Sequence, residues 1–457
     1  MIEAIPQRVH LVGVGGIHMS AIARILRSHG HTVTGSDLRP SPLTQRLESL
    51  GVTVHAGHDA GHLGDAELVV YTSAAPADNP ELVEAQRRGI PAIKRAEMVA
   101  RLMEGKRSIA VAGSHGKTTT TSMIATVLSA AGLDPTVVIG GRVKSLGGNA
   151  RLGQGEILVA EADESDGTFL LLSPTIAVVT NIDREHMDFY QTMERLTESF
   201  LDFINQVPFY GLAILCLDHP NVRALLPKMK KRFVTYGFSP EADFIARDLQ
   251  VRPMEVEFSV ARRATNLGKL RLHLPGRHSA SNALAAVAVA QELEVPFSRT
   301  AEALESFAGI HRRFEIKGEP RGILVIDDYG HHPVEIRATI EAIRDSWKRP
   351  LTVVFQPHRY TRTSDLFDDF LTCFEEADRL VLTEIYSAGE EAIAGTSGKA
   401  LCQAIQRRGH LEVEYVADRD EIARRLLPKL KSGDIVLTLG AGDIYKVGEE
   451  IIETLGK

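Results

Sequence analysis

Ser108-Ile109-Ala110-Val111-Ala112-Gly113-Ser114-His115-Gly116-Lys117-Thr118-Thr119 is an apolar run that stops at a glycine, turns, and restarts as a helix with Lys-Thr at its opening. A strand, a glycine loop and a helix in that order aim backbone N–H groups at one point, where they bind phosphate oxygens. Lys117 adds a positive point charge and Thr118 a hydroxyl for Mg²⁺. Gly113, Ser114, His115, Gly116, Lys117, Thr118 and Thr119 are therefore read as an ATP site. The loop is a shorter variant of the G-x-x-x-x-G-K-[ST] string, because Val111 stands five before Gly116 and the leading glycine is Gly113. The bland reading, a glycine turn that happens to precede Lys-Thr, leaves the flanking strand and helix as coincidence.

Downstream, the apolar run Ile157 to Ala160 ends in Glu161-Ala162-Asp163-Glu164-Ser165-Asp166. Its first carboxylate emerges at the C-terminal end of a strand, where open α/β sheets bind ligands, and hard oxygen donors suit Mg²⁺. The next run, Ile176 to Thr180, leads into Asn181-Ile182-Asp183-Arg184-Glu185-His186-Met187-Asp188, where His186 is a candidate ligand for a second metal ion. The competing readings are a solvated acidic turn and a solvated histidine. Upstream, Val9 to Val12 is a strand, Gly13-Val14-Gly15-Gly16 a turn, Met19 to His29 a helix and Thr32 to Gly35 a second strand, with Asp37 close behind. That is a dinucleotide-type fingerprint with His18 in the place of the third glycine, and NAD and UDP both remain open as its ligand.

Strand-like and helix-length segments alternate almost from end to end, which predicts an α/β protein with parallel sheets covered by helices. A chain of 457 residues is too long for one core, and about 150 residues per domain gives three. The predicted division is a Rossmann-like domain over 1–105, a central P-loop ATPase domain with a mostly parallel sheet over 106–312, and a Rossmann-like domain over 313–457. Between Phe233 and Leu274 the pattern alternates, as in Met254-Glu255-Val256-Glu257-Phe258, and predicts antiparallel strands at the edge of the central sheet. The stretch Phe307 to Gly318 reads as the last boundary, with new strands from Ile323, Leu351, Leu380, Val413 and Ile435.

A net charge of −7 offers no sequence-independent attraction for nucleic acid or anionic lipid, so neither is expected as a partner. Cys216, Cys373 and Cys402 are far apart and odd in number, which fits a reducing compartment rather than a disulfide framework. Met1 to Arg8 has no basic start followed by an apolar stretch, and no apolar run reaches the roughly 20 residues that span a bilayer. The expected location is the cytoplasm, and the expected state a monomer or homodimer. In the last third, Asp327-Asp328-Tyr329-Gly330-His331-His332-Pro333 and Gln356-Pro357-His358-Arg359-Tyr360-Thr361-Arg362-Thr363 each end a strand and begin a helix, so both lie on one sheet edge. Guanidinium groups there can fork onto a carboxylate or phosphate, and two polar surface loops are the alternative.

Eight strings in order carry a resemblance: HLVGVGGIHMSA from His10, GSHGKTTTT from Gly113, EADESD from Glu161, TNIDREHMD from Thr180, HSASNALAA from His278, HRRFE from His311, DDYGHHPVE from Asp327 and FQPHRYTRT from Phe355. Over nearly its whole length the chain resembles the Mur ligase family. The resemblance implies a UDP-binding domain, an ATPase domain and a third domain that brings an amino acid, with ATP and Mg²⁺ as cofactors. It implies that Lys117 holds the β- and γ-phosphates, that Thr118, Glu161 and His186 support two Mg²⁺ ions, and that Asn282 contacts adenine. Arg313 and Asp328 would reach the phosphates on closure, His331, Arg359 and Arg362 would receive the amino-acid carboxylate, and Gly15, Ser36 and Asp37 would face UDP. The catalytic set is then Lys117, His186, Arg313, Asp328 and His331. Family members commonly carry glycine where this chain has His18, and Met187 to Asn205 contains no lysine, so no carbamylated lysine is expected.

Within the family, the Tyr-Gly of DDYGHHP and the H-R-Y-T-R string resemble members that join L-alanine to UDP-N-acetylmuramate through an acyl phosphate. The nearest alternative adds a murein tripeptide to the same UDP-sugar. An NAD-dependent oxidoreductase leaves the ATP loop unexplained, and a sensor of ATP and UDP-sugar would bind both without turnover.

Overall fold

Three sheets follow one another along the computed structural model of the chain, which describes residues 5–72, 74–143, 148–409 and 412–456; Met1 to Ala4, part of the segment read for a leader, lie outside it. The first sheet holds β1 (Arg8–Val12), β2 (Thr32–Asp37), β3 (Thr53–Ala56), β4 (Leu68–Tyr71) and β5 (Ala92–Lys94) in the order β3-β2-β1-β4-β5, all parallel. β1 is covered on both faces, which is why Val9, Leu11 and Val12 are all apolar and buried, with His10 buried among them. Helix α1 (Ile17–Ser28) starts two residues before the predicted Met19, because Gly16 is extended and acts as its N-cap.

The second sheet contains β6 (Arg107–Ala112), β7 (Thr136–Val143), β8 (Gly148–Arg151), β9 (Ile157–Glu161), β10 (Ile176–Val179), β11 (Leu212–Cys216), β12 (Phe233–Gly237), β13 (Phe244–Arg252), β14 (Glu255–Arg262) and β15 (Thr265–Leu272). Its order is β15-β14-β13-β12-β11-β10-β6-β9-β7-β8. The strands from β13 to β7 are parallel, and antiparallel pairs occur only at the two edges. The alternating segment after Phe233 is therefore antiparallel only from the β13–β14 pair onward; β12 pairs in parallel with β11. Helices α2 (Lys117–Ala130) and α3 (Arg277–Glu292) pack on each other over this sheet, and the small side chains Ala283, Ala285, Ala286 and Ala288 permit close approach.

The third sheet is formed by β16 (Glu315–Gly318), β17 (Leu324–Asp328), β18 (Leu351–Phe355), β19 (Arg379–Leu382), β20 (Val413–Tyr415) and β21 (Ile435–Leu439), ordered β16-β17-β21-β18-β19-β20. All are parallel except β16, an edge strand inside the stretch read as a boundary. Helix α4 (Pro333–Ser346) follows β17. One apolar core runs from Leu11 and Ile22 of the first unit to Val138 and Phe200 of the second, with α1 lying against β7 and β8. Asn149 ties this junction, donating to Ser20 Oγ at 2.9 Å and to the carbonyl of Ile17. Among the described residues no helix is long and apolar enough to cross a membrane.

Candidate active site

Between β6 and α2 the chain makes the tight loop that the glycines allow. Gly113 and Gly116 have φ of 136° and 80°, in the left-handed region that favours glycine. A Cβ on Gly113 would overlap Thr180 Oγ1, and one on Gly116 would lie 2.8 Å from Asn282 Oδ1. The loop is strapped to the end of β10: Asn181 Oδ1 accepts from His115 N at 2.7 Å, Thr180 Oγ1 donates to His115 O at 2.6 Å, and Ser114 Oγ accepts from Asp183 N at 2.8 Å. The N–H groups that open α2 are thereby held at one fixed point.

Lys117 Nζ donates to the carbonyls of Gly113 and Ser114 and lies 2.9 Å from Glu164 Oε1. Burial alone would lower the lysine's pKa, but the carboxylates of Glu164, Glu185 and Asp163 raise it above its ordinary value, so the ammonium stays charged. Glu161, at the end of β9, accepts from Gly140 N at 2.8 Å and from Thr118 Oγ1 at 3.2 Å, and burial pushes its carboxyl up despite those donors. His186 is placed with Glu164 and Glu185, each offering one ligand atom within 4.8 Å of the others. The predicted metal set is thus divided into Thr118 with Glu161, and His186 with two buried carboxylates. Glu164 Oε2 and Glu185 Oε1 have no hydrogen-bond partner among the described residues, and such hard oxygens fit Mg²⁺.

The third domain closes one side of the loop. Glu335, in the first turn of α4, places Oε1 3.4 Å from His115 Nδ1 and 3.6 Å from Arg313 Nη1. Asp183 lies 3.3 Å from the other ring nitrogen of His115. Burial opposes protonation of this imidazole, yet the two carboxylates push its pKa up to about 10. Burial lifts Asp328 to about 6 against the pull of Arg313 and the N–H groups of Phe314 and Gly330. A cavity of about 240 Å³ opens here, lined by Gly116, His278, Asn282, Phe307 and Arg313, with apolar walls and a few polar groups that suit a flat heterocycle.

His331 and Arg362 converge on Glu185 of the central domain, at 3.9 and 3.2 Å from its Oε1. Burial and the adjacent Arg362 lower His331 to about 3, so its ring is neutral. Burial works to raise Glu185, but Arg362 and His186 hold its carboxyl well below the usual range. Arg359 lines the same cleft as Glu185, His186 and Arg362 but pairs elsewhere: its guanidinium lies 3.6 Å from Glu390 and is 43% exposed. In the first domain Gly15 N donates to Asp37 Oδ2 at 2.9 Å, which fixes the glycine turn, while Ser36 Oγ donates inward to the buried Glu81 at 2.6 Å. Sequence reasoning quoted Glu164, Glu185 and Glu335 within its strings without singling any of them out, and passed over Arg95. The only sequence signal for Glu335 is its place three residues after His332, the spacing of a helix-capping pair.

Three family profiles match in series: Mur ligase family, catalytic domain, over residues 8–107; Mur ligase middle domain, over 111–290; and Mur ligase, glutamate ligase domain, over 312–442. The chain is 54% identical to the UDP-N-acetylmuramate–L-alanine ligase of Geotalea daltonii over 98% of both chains. It is likewise 54% identical to that of Myxococcus xanthus, over 98% of this chain and 95% of the relative. Among solved structures it is similar to the UDP-N-acetylmuramate-alanine ligase of Thermotoga maritima, with TM-score 0.84, 31% identity and coverage of 98% and 99%. A murein peptide ligase of Psychrobacter arcticus has the same fold, with TM-score 0.75 at 24% identity and coverage of 99% of each chain.

Proposed function

We propose, from the premise that this chain belongs to the Mur ligase family, that it is the ATP-dependent ligase joining L-alanine to the lactyl carboxylate of UDP-N-acetylmuramate. ADP and phosphate are the other products. The observation that carries this reading is the 54% identity to alanine-adding ligases over 98% of the chain, so that all three sheets and the loops between them share it. The division 1–105, 106–312 and 313–457 then assigns the UDP-sugar, ATP and the amino acid to successive domains.

A carboxylate does not condense with an amine in water, because its oxygen is a poor leaving group. Transfer of the γ-phosphoryl of ATP to that oxygen supplies a good one, and the L-alanine amine then attacks the acyl carbon as phosphate departs. Lys117 and the loop N–H groups bind the phosphates, and Asn282 orients adenine in the cavity beside Gly116. Mg²⁺, when bound, neutralises charge that builds on the transferring phosphoryl group; Thr118 with Glu161, and His186 with Glu164 and Glu185, are the residues to hold it. Arg313, kept next to Asp328 and Glu335, reaches the phosphates from the third domain. His331 and Arg362 receive the L-alanine carboxylate, with Arg359 on the rim, and Gly15, Ser36 and Asp37 shape the UDP side. Enclosure between two domains keeps water from the acyl phosphate. The reading takes the protein as a monomer or homodimer; ATP use and three buried thiols suit the cytoplasm.

The test is phosphate release with each substrate omitted in turn, and with glycine, L-serine or the murein tripeptide replacing L-alanine. Release should require both UDP-N-acetylmuramate and L-alanine. Turnover that ignores the UDP-sugar, or that prefers the tripeptide, would sink this reading.

A further inference from the structure

His18 is carried by α1 of the first domain, but its ring crosses to the central domain. Arg95 Nη1 lies 2.7 Å from its Nδ1, and Arg95 Nη2 donates to Asp163 Oδ2 at 2.8 Å. A guanidinium can only donate, so Nδ1 is the acceptor and the ring hydrogen sits on Nε2. Burial and the Arg95 charge lower this imidazole to about 4, in agreement with a neutral ring. Nε2 is shielded from solvent and has no hydrogen-bond partner among the described residues. A buried donor left without an acceptor is destabilising.

That donor lies against Gly140 of β7. A Cβ built on Gly140 would lie 2.9 Å from His18 Nε2 and 2.9 Å from Glu161 Oε2, so the donor and the carboxylate flank one point. Glu161 is already engaged by Gly140 N and Thr118 Oγ1. The Nε2 of His18 therefore lies beside Gly140 and Glu161, where the first domain meets the residues that open α2. A neutral donor has a use there, because a substrate carboxylate and a triphosphate repel each other as they approach.

We propose that His18 is a catalytic residue whose Nε2–H donates a hydrogen bond to the acceptor carboxylate as it is phosphorylated. The inference rests on the ligase reaction proposed above. The carboxylate oxygen forms a bond to the γ-phosphorus, the bond from that phosphorus to the β,γ-bridging oxygen breaks, and ADP leaves with the electron pair. His18 transfers no proton; it keeps its hydrogen bond to the acyl phosphate that forms. Arg95 and Asp163 are positioning residues that fix the tautomer and the ring plane.

His18→Ala, His18→Gln and Arg95→Met separate this role from packing. The measurements are UDP-N-acetylmuramate-dependent phosphate release, ADP affinity and the thermal midpoint. His18→Ala should lower kcat by about 10- to 100-fold, the scale of a lost donor to a reacting oxygen, with ADP affinity within about threefold of the parent. Glutamine supplies an N–H of similar reach and should restore kcat to within about fivefold, and free imidazole should partly rescue the alanine variant. Arg95→Met, which leaves the ring but frees it, should lower kcat in the same direction. A kcat within twofold of the parent in His18→Ala overturns the proposal, as does a glutamine variant no faster than alanine, or an effect confined to KM for the UDP-sugar. An unsubstituted protein that shows no UDP-sugar-dependent release defeats the ligase reading itself, a result distinct from any of these.

Discussion

Replacing Glu335 by glutamine tests whether charge latches the third domain onto the phosphate loop. Oε1 of Glu335 faces His115 at 3.4 Å and Arg313 at 3.6 Å, while Oε2 accepts from the backbone N–H groups of His331 and His332 at 3.1 and 3.4 Å. Glutamine keeps the shape and an oxygen for the helix cap, removes the charge, and turns an amide donor toward His115 and Arg313. At an effective dielectric near 20, unit charges this close attract by about 4–5 kcal/mol before desolvation. Losing one partner of a buried pair costs roughly 3–5 kcal/mol, and with Asp183 still on the other nitrogen the share felt by His115 comes to about 2–3 kcal/mol. One pKa unit is about 1.4 kcal/mol, so the His115 pKa, about 10 in the parent, should fall by about two units. The folded-state pKa lies above the ordinary 6.5, so the stabilisation is complete below pH 6.5 and is lost as pH rises through about 10. In E335Q that loss should move to about pH 8. NMR titration of the His115 ring, with thermal midpoints across the same range, reads both effects. An unchanged His115 titration refutes the latch.

Lys117→Met removes the only side-chain cation that opens α2 and should lower phosphate release by about a thousandfold or more while the chain still folds; near-normal turnover would remove the loop from the site. Gly113→Ala should weaken ATP binding by at least about tenfold, read by nucleotide titration, and adding Thr180→Ala should not restore it, because φ at 113 stays at 136° after the overlap is gone. Arg362→Ala should raise KM for L-alanine by about 10- to 100-fold, the range of a lost charge-assisted hydrogen bond, whereas Arg359→Ala should change it far less. Equal effects of the two substitutions would contradict the placement of Arg359 beside Glu390.

What the sequence made legible was set by burial. β1, β6, β10, β18 and β21 are buried on both faces, so each carries an apolar run, interrupted in β1, β18 and β21 by one buried polar residue, His10, Thr352 and Thr438. β3, β5 and β16 have no fully buried residue, and without a covered face they leave no periodicity to read, whereas β20, which also lacks one, was read from Val413 and Val416. The phosphate loop was legible because its signal is local: two glycines that must adopt positive φ and a lysine that follows them. Glu335 was not, because its capping position explains the residue fully until another domain is brought against it. Nothing in TNIDREHMD distinguishes Asp183, which pairs with His115 and His219, from Glu185, which meets Arg362, or from the exposed Asp188.

Those pairings share a logic that only the folded chain reveals. Lys117 is matched by Glu164, Arg362 by Glu185, His115 by Glu335 and Asp183, and Arg95 by Asp163. The Arg362–Glu185, His115–Glu335 and Arg95–Asp163 pairs each join residues of different domains. A buried cation stripped of its partner is strongly destabilising, so a site that must receive phosphates and two carboxylates needs internal counterions to keep its cations charged and ordered. On the proposed assignment, substrate anions binding at Lys117 and Arg362 would exchange one partner for another. The freed carboxylates of Glu164 and Glu185 lie beside His186, where a divalent cation would take them up. On this account metal and anionic substrates bind with positive cooperativity, because each releases the partner the other requires. ATP affinity measured with and without Mg²⁺ in Glu164→Gln is the sharp case: the variant should bind ATP more evenly across the two conditions than the parent, and an undiminished Mg²⁺ dependence would show that Glu164 takes no part in the exchange.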